Sequence, residues 1–193
     1  SARDPLNHEQ CVKAGLKSTS YENYSETSKA YDGTRQPSSA HLLLGLLAAH
    51  GGQLQSQAVL DLGCGTANYL FTLWGRVRSC TGLDLNVGML EQARAKAAVL
   101  QKEGENAKTS TQVTFHHGSM AELPFPAASY DAVTLHQCIH HLPTDNDHEL
   151  LRATLAEAFR VLKPGGVCII NDSTAEQQGK GFWWSAIIPA ALA

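Results

Sequence analysis

Val59-Leu60-Asp61-Leu62-Gly63-Cys64-Gly65-Thr66-Ala67 is the stretch that decides the fold. An apolar, β-favouring run leads into a turn that contains Gly63 and Gly65, and a helix is predicted over Asn68 to Trp74. Glycine has no Cβ, so the backbone of such a turn can bend sharply and approach a ligand closely. Two glycines alone would also suit a plain strand-to-helix turn, so they leave both interpretations open.

Asp61 favours the ligand-binding interpretation. It lies two residues before Gly63, at the predicted carboxyl end of the first strand, where open α/β sheets bind their ligands. A carboxylate there would repel the pyrophosphate of a dinucleotide and attract an ammonium group. In the dinucleotide-binding pattern G-x-G-x-x-G the sixth position is a glycine, whereas this chain has Asn68 there. The sequence therefore predicts a nucleotide-like ligand with a zwitterionic amino-acid end.

Composition limits the class of protein. A chain of 193 residues predicts one α/β domain, and the hydrophobic fraction of 43% and charged fraction of 17% are those of a soluble globular protein. The formal net charge of −3 gives no overall attraction to nucleic acid or to an anionic membrane. No apolar run approaches the roughly 18 residues of a spanning helix, and Ser1 to Gln10 shows no signal peptide. We therefore expect no nucleic-acid partner and no membrane association.

The cysteines form an odd, widely spaced set without a C-x-x-C pair: Cys11, Cys64, Cys80, Cys138 and Cys168. Thiols in strand-like runs are typical of buried, reduced cysteines, so a cytoplasmic location is predicted. A thiol site for a metal or for arsenic is the less favoured alternative, because nothing sets a ligand spacing. We predict no metal site.

Asp84 is the second candidate ligand-binding acid. A second strand is predicted over Cys80 to Leu85, and Asn86 is a candidate cap for a helix that runs to about Lys102. In a nucleotide-binding unit, an acid at the end of the second strand accepts hydrogen bonds from ribose hydroxyls. The alternative is a charge that stabilises the helix N-terminus. The combination with Asp61 and the glycines favours the ribose role.

Three histidines follow the predicted fourth strand, Ala132 to Leu135, within six residues. His140 and His141 are adjacent and point apart in any regular backbone, so a metal site is the less favoured interpretation. His136 lies where the strand ends at the predicted crevice, and a neutral imidazole there could accept a substrate proton near pH 7. His136 is therefore the candidate catalytic residue.

Further helices and strands complete an α/β pattern. The clearest helix is predicted over Asn146 to Leu162, ended by Lys163-Pro164-Gly165-Gly166 and followed by a strand over Val167 to Asp172. Another strand is predicted over Val113 to His117. Near the start, Ser38 and Ser39 can cap a scaffold helix. Its apolar residues recur at helical spacing: Leu42, Leu43, Leu46 and Leu47.

Together these motifs resemble the class I S-adenosylmethionine-dependent methyltransferases, of the small-molecule type similar to the ubiquinone- and menaquinone-biosynthesis enzymes. The resemblance rests on the glycine loop, Asp84, the loop Gly118 to Phe125 and the L-K-P-G-G turn, and it covers about residues 20 to 175. It implies an α/β, Rossmann-like doubly wound sheet with strand order 3-2-1-4-5, parallel up to residue 172. The family's last two strands are missing from this chain, so the methyltransferase domain, residues 38–193, is expected to be truncated at its C-terminus.

The resemblance implies transfer of the sulfonium methyl of S-adenosylmethionine, by in-line displacement, to a small-molecule acceptor. It assigns cofactor contacts to a set of residues: Asp61, Gly63, Cys64, Gly65, Asp84, Leu85, Ser119, Met120, Leu135, Tyr24 and Tyr31. Ser119 stands where the family usually has an Asp that accepts a hydrogen bond from adenine, and a hydroxyl accepts more weakly. This departure motivates an alternative: a cofactor-binding, methyltransferase-like protein without turnover that acts as a partner subunit.

The sequence also gives predictions for the two ends of the chain. Residues 1–37 are predicted to form an N-terminal arm in which Tyr24 and Tyr31 cover the ligand as a flap, with a mobile terminus as the alternative. Residues 182–192, near the end of the chain, form an apolar segment with two tryptophans and two isoleucines. We expect this segment to form a homo-oligomer contact, because such a patch would otherwise favour aggregation.

Overall fold

A five-stranded parallel sheet forms the centre of the molecule. The computed structural model describes residues 37, 40–50, 52–104, 111–142 and 148–172. The strands are β1 (Ala58–Leu62), β2 (Ser79–Asp84), β3 (Gln112–His117), β4 (Tyr130–His136) and β5 (Leu162–Asn171). They are all parallel and lie in the order β3-β2-β1-β4-β5. This order confirms the predicted Rossmann-like, doubly wound arrangement.

Helices pack on both faces of the sheet. They are α1 (Ala40–His50), α2 (Asn68–Phe71), α3 (Val87–Gly104) and α4 (Glu149–Val161), with short 3-10 turns at Leu54–Ser56 and Ile139–His141. Successive strand residues point to opposite faces, so Val59 packs in the core with α1, α2 and α3, whereas Leu60 packs in the core beneath α4. None of the helices in the described ranges has the length and apolar character that a bilayer crossing requires.

Local sequence signals account for where two of the helices form. The Asn86 side-chain oxygen accepts a hydrogen bond from the Met89 amide at 3.0 Å, which confirms the predicted cap of α3. In α1, Leu43 and Leu47 are buried against the sheet, while Leu42 is 55% exposed. Ser38 and Ser39, the predicted caps of α1, lie outside the described residues.

The helix predicted over Asn68 to Trp74 is shorter in the structure, because α2 ends at Phe71. The Thr72 hydroxyl donates to the Tyr69 carbonyl at 2.6 Å, and the following amides form tight i to i−3 bonds. Gly75, with φ of 71°, then turns the chain toward β2. These local bonds compete with continued α-helical bonding and explain the correction.

The strand after α4 was predicted to begin at Val167, but β5 begins at Leu162 and includes Lys163 to Gly166. Helix α4 ends at Val161, and Leu162 already pairs with Tyr130 as the first residue of β5. Between that pair and the pair of Ala132 with Val167, the register shifts as in a β-bulge. The predicted first residues of α4, Asp145 and Asn146, lie outside the described residues.

An ionic cluster lies at the amino ends of the central strands. Asp131, at the start of β4, accepts hydrogen bonds from the Ala58 amide at 2.8 Å and from the Lys163 ammonium at 2.7 Å. Arg78, just before β2, lies 3.8 Å from the same carboxylate. Desolvation raises the pKa of Asp131, but the Ala58 amide and these cations outweigh it and hold the pKa below its usual value.

Candidate functional site

The sheet has one topological switch point, between β1 and β4. From β1 the chain proceeds to β2 and β3 on one side, and later to β4 and β5 on the other. Ligands of open α/β sheets bind outside the carboxyl ends of the strands at such a point. The glycine loop follows β1, Asp84 ends β2 and His136 ends β4, so the fold brings these predicted site residues to one edge.

The glycine loop is bound to the end of β2. The amides of Gly63 and Cys64 donate to the Leu83 carbonyl at 2.8 and 3.1 Å. Gly63 has a φ of 68°, and a Cβ there would lie 2.7 Å from the Cβ of Cys138. Gly65 has a φ of 54°, yet a Cβ there would meet nothing within 4 Å. Gly63 is therefore required by packing, whereas Gly65 leaves an open space beside the loop.

Asp84 is held by backbone donors on both carboxylate oxygens. Its Oδ2 accepts from the Gly65 amide at 2.7 Å, and its Oδ1 accepts from the Asn86 amide at 2.8 Å. Desolvation by burial raises the pKa of Asp84, whereas hydrogen bonds from the Asn86, Gly65 and Leu85 amides and the charge of His117 lower it. A carboxylate has about four acceptor positions, so three amides do not exhaust them. The side chain can therefore still accept a hydrogen bond from a ribose hydroxyl.

Asp61 lies deeper than the sequence suggested. It is 2% exposed, and its Oδ1 accepts a hydrogen bond from the Thr134 hydroxyl of β4 at 2.8 Å. Its pKa is raised to about 7, because desolvation by burial and, to a smaller extent, the charge of Asp84 outweigh the lowering effect of the Thr134 bond. Its charged and neutral forms are therefore similar in free energy near pH 7. A cation at this edge would favour the charged form.

The loop Gly118 to Phe125, the predicted adenine loop that the resemblance places against adenine, lies beside the glycine loop. The Met120 Cε is 3.4 Å from the place that a Gly63 Cβ would occupy. The Ser119 hydroxyl oxygen accepts from the Ala121 amide at 3.2 Å, so it already takes part in a local turn. Leu85, after β2, is partly buried, and its carbonyl lies 3.1 Å from Nε2 of His117.

Two of the predicted cofactor contacts are core side chains. Leu135 is fully buried in the core beneath α4, and Cys64 is 8% exposed. The Cys64 Sγ lies 2.7 Å from where a Gly82 Cβ would be, so the thiol packs against β2. Burial raises the pKa of Cys64 well above its usual value. These two residues can offer the crevice their backbone atoms, whereas their side chains serve packing.

His136 stacks on Tyr69, a residue that the sequence analysis missed. The ring centroids are 3.9 Å apart and the ring planes differ by 3°. Burial lowers the pKa of His136 to about 4, so the imidazole is neutral at pH 7. A base with so low a pKa holds a proton poorly at that pH. The imidazole is then a weak base, and its predicted proton-accepting role stays a prediction.

The prediction that His140 and His141 point apart was wrong. Their ring centroids are 4.0 Å apart, because both residues belong to a 3-10 turn rather than to regular extended backbone. Nδ1 of His140 lies 2.7 Å from Asp172, which follows β5. Within the described part of the chain, no three side chains of the metal-binding types converge.

Helix α4 holds the predicted adenine loop by an ion pair. Arg160 and Glu157 form two bonds, of 2.6 and 2.7 Å, between Nε and Oε1 and between Nη2 and Oε2. Glu157 also accepts from the Leu123 amide at 2.7 Å. Arg160 donates to the Leu123 carbonyl at 3.1 Å and to the Phe125 carbonyl at 2.8 Å. The pair therefore fixes the position of residues 119–125 relative to the sheet.

Replacing Arg160 with Ala should loosen this loop. Two carbonyls and a carboxylate lose a charged donor, and we expect a loss of about 1–2 kcal/mol of unfolding free energy after discounting for solvent screening. Hydrogen exchange should become faster in residues 119–125. Arg94→Ala is the control, since it removes a single exposed bond of 3.3 Å to Phe115. Equal exchange in the two variants would contradict a positioning role for Arg160.

Comparison with known proteins agrees with this geometry. Residues 60–170, more than half of the chain, match the family described as the methyltransferase domain. The chain belongs to the methyltransferase-domain family. The matched region contains the glycine loop, Asp84 and the carboxyl ends of β1 and β4.

Three proteins show how similar this methyltransferase-domain chain is to its relatives. A demethylmenaquinone methyltransferase of Lactococcus lactis is 37% identical over 123 residues, which cover 61% of this chain and 43% of that protein. A malonyl-[acyl-carrier protein] O-methyltransferase of Serratia marcescens is 30% identical over 181 residues, 91% of this chain and 57% of that protein. The crystal structure of the YcgJ protein from Bacillus subtilis shares 30% identity with a TM-score of 0.54, and the match covers 68% of this chain and 50% of that one. The chain thus spans about half the length of these relatives.

Some predicted residues of this methyltransferase-domain chain lie outside the described ranges, and one residue next to the site was not predicted. Tyr24 and Tyr31, the predicted flap residues, lie outside the described residues, as do Cys11 and residues 182–192. Thr134 was missed because a Thr inside a strand-like run gives no signal of its own. It was detectable only through the pairing of β4 with β1, which places it opposite Asp61.

Proposed function

We propose that this chain forms the cofactor-binding part of an S-adenosylmethionine-dependent methyltransferase that acts on a small-molecule acceptor. The observation that carries the proposal is the carboxylate of Asp84, fixed at the end of β2 by the amides of Gly65 and Asn86. Membership of the methyltransferase-domain family supports methyl transfer as the reaction. Because the chain spans about half the length of its relatives, the activity of the whole protein is part of the proposal.

The residues present fit S-adenosylmethionine. Asp84 keeps acceptor capacity for a ribose hydroxyl, and Gly65 leaves an open space that a side chain would fill. Asp61 supplies a carboxyl group whose charged form an ammonium group would stabilise, and Met120 lies beside the glycine loop. When bound, the cofactor supplies a methyl group activated by a positively charged sulfur.

The chain's own contribution is binding, alignment and shielding. Gly63 and Gly65 admit a ligand close to the backbone, and Asp84 fixes the ligand's orientation relative to β2. Holding two reactants in line supplies a large part of the rate enhancement in transfers of this kind. Small-molecule relatives support a small acceptor, and the buried thiols of Cys64, Cys80 and Cys138 support a reducing, cytoplasmic location. We keep the oligomer contact through residues 182–192 as a proposal.

A second candidate function is cofactor binding without turnover, in a partner subunit. The specific observation is Ser119, whose oxygen already accepts the Ala121 amide and so offers adenine less than a carboxylate would. Calorimetry with S-adenosylhomocysteine, followed by transfer assays with methyl-labelled S-adenosylmethionine over a broad acceptor panel, separates the two. Binding with transfer supports the enzyme, and binding without transfer supports the subunit. Absence of binding overturns both.

Replacing Asp84 with Asn tests the ribose role directly. Asn keeps the shape of the side chain but loses the charge and one acceptor, so we expect the affinity for S-adenosylhomocysteine to fall by about 1.5–3 kcal/mol. Asp131→Asn is the matched control, since that carboxylate lies at the opposite edge of the sheet and should leave the affinity unchanged. Calorimetry measures both. An unchanged affinity in the Asp84 variant would remove the ribose role.

A further inference from the structure

His136 carries two buried polar atoms that the proposed cofactor site does not use. The residue is 8% exposed, and among the described residues neither ring nitrogen has a hydrogen-bond partner. Both nitrogens are also closed to solvent, so water does not satisfy them. A buried polar group without a partner costs folding free energy, and each such case in a native structure needs an explanation. A ligand atom that pairs with the ring would provide one.

The surroundings of His136 hold its ring in one orientation. Tyr69 covers one face in a nearly parallel stack, with centroids 3.9 Å apart. Tyr69 comes from α2, directly after the glycine loop, and its hydroxyl oxygen lies 3.4 Å from the Asn171 side-chain nitrogen at the end of β5. His136 itself ends β4 and pairs in register with Asn171. The stacked pair therefore connects α2, which follows β1, with the carboxyl end of β4.

The state of the ring limits which groups it can bind. A neutral imidazole has one N–H donor and one acceptor nitrogen, and the two roles exchange with the tautomer. Burial lowers the pKa of His136 to about 4, which keeps the ring neutral over the physiological range. A hydroxyl both donates and accepts, so it pairs with either nitrogen in either tautomer. A carboxylate accepts only and an ammonium donates only, and each would pay a large desolvation cost here.

We propose that His136 is an acceptor-binding residue that recognises an uncharged hydroxyl group of the methyl acceptor, with Tyr69 as the residue that positions its ring. This inference rests on the proposed methyltransferase function and names the chemical class of group at the acceptor site. It assigns His136 a binding role in place of proton transfer. Helix α2 then has a role as well, because its Tyr69 follows the glycine loop in the chain and stacks on His136.

The test uses three small probes on the wild-type chain saturated with S-adenosylhomocysteine. Phenol carries a hydroxyl, anisole has the same ring without the O–H, and benzoate carries a negative charge. Because the nitrogens are closed to solvent, a probe reaches them only by displacing their present neighbours, so binding is followed by NMR titration at millimolar concentration. We expect phenol to bind at least about tenfold more tightly than anisole or benzoate, the ratio that one hydrogen bond supplies. The ¹⁵N resonances of the His136 ring should shift with phenol alone.

Four variants test whether the stacked pair of His136 and Tyr69 causes the preference for phenol over anisole. His136→Phe should abolish the preference for phenol over anisole, while His50→Phe, the same change at an exposed position of α1, should preserve it. Tyr69→Phe should preserve it, because the ring remains, and Tyr69→Leu should reduce it several-fold. If His136→Phe fails to fold, the wild-type probe comparison and the two Tyr69 variants decide the matter.

The outcomes separate this inference from the proposed function. Equal binding of phenol and anisole to the wild-type chain, or a preference that survives in His136→Phe, overturns the acceptor-binding role. In both cases S-adenosylhomocysteine binding, measured in the same samples, would leave the proposed function standing. Failure of S-adenosylhomocysteine to bind the wild-type chain would overturn the proposed function itself.

Discussion

Asp61→Asn is expected to be more stable than the wild-type chain at pH 8 and no more stable at pH 4. The carboxyl pKa rises from 3.8 to about 7 on folding because burial disfavours the charge. Between pH 4 and pH 7 the folded chain therefore holds a proton that the unfolded chain has lost. The unfolding free energy consequently falls as pH rises through this window, by up to about 4 kcal/mol, and is level above it. An amide does not titrate and avoids this loss.

Denaturation with urea at pH 4, 6 and 8 measures the effect as a difference between the variant and the wild-type chain. The amide introduces N–H groups that need partners, so we expect a net gain of about 1–3 kcal/mol at pH 8. Asp131→Asn is a control of opposite sign. The pKa of Asp131 is lower in the folded chain than in the unfolded chain, so its charge stabilises the fold above the unfolded pKa, and this stability is lost as pH falls. An amide carries no such charge, so Asp131→Asn should lose stability at pH 8. A pH-independent effect of Asp61→Asn would disprove the raised pKa.

The same variant connects stability to function. An ammonium group is attracted by a carboxylate and not by an amide, so Asp61→Asn should bind S-adenosylhomocysteine more weakly than the wild-type chain. A variant that gains stability while it loses affinity would identify Asp61 as a group retained for binding at a cost to folding. Unchanged affinity would assign the buried carboxyl no part in cofactor binding.

Gly63→Ala and Gly65→Ala should have opposite effects on folding and binding. At Gly63 the new Cβ would lie 2.7 Å from the Cβ of Cys138, in a backbone with φ of 68°. Overpacking together with left-handed strain should cost about 2–5 kcal/mol of unfolding free energy. At Gly65 the new Cβ meets nothing within 4 Å, so we expect a loss of only about 1–2 kcal/mol from strain. The methyl group would instead occupy the open space beside the loop, and the affinity for S-adenosylhomocysteine should fall at least tenfold.

Gly52→Ala is the matched control for this pair. Gly52 has a φ of 75° and open space around its Cβ position, but it follows α1 and lies outside the glycine loop. It should show the strain of Gly65→Ala without the loss of affinity. Thermal unfolding and calorimetry on the three variants give both quantities. If Gly65→Ala bound S-adenosylhomocysteine as tightly as Gly52→Ala, the open space would have no role in cofactor binding.

Much of the fold could be predicted because its signals are local. Strand-like runs end at Asp61 and Asp84, glycines follow the first, and Asn86 supplies a helix cap that the structure confirms. Each of these features depends on residues within a few positions of one another. Parallel strands joined by right-handed crossovers then leave few possible sheet orders. The resemblance to the class I methyltransferases then implied one of them, the order β3-β2-β1-β4-β5, which the structure confirms.

The features that were missed depend on contacts between distant parts of the chain. Tyr69 and His136 are 67 positions apart and meet only because α2 lies over the end of β4. The burial of Asp61 next to Thr134 likewise requires the pairing of β1 with β4. Sequence spacing gives no estimate of desolvation, so neither the raised pKa of Asp61 nor the lowered pKa of His136 was predictable.

The ionic cluster around Asp131 has a consequence for how this domain can change over time. It binds the amino ends of β1 and β4, whereas the candidate site lies at their carboxyl ends, about 13 Å away along a five-residue strand. Substitutions separated by more than roughly 7–10 Å generally act independently on stability. Improvements at the ionic edge can therefore compensate for costly polar groups at the opposite edge. New acceptor specificities could evolve there without redesign of the scaffold.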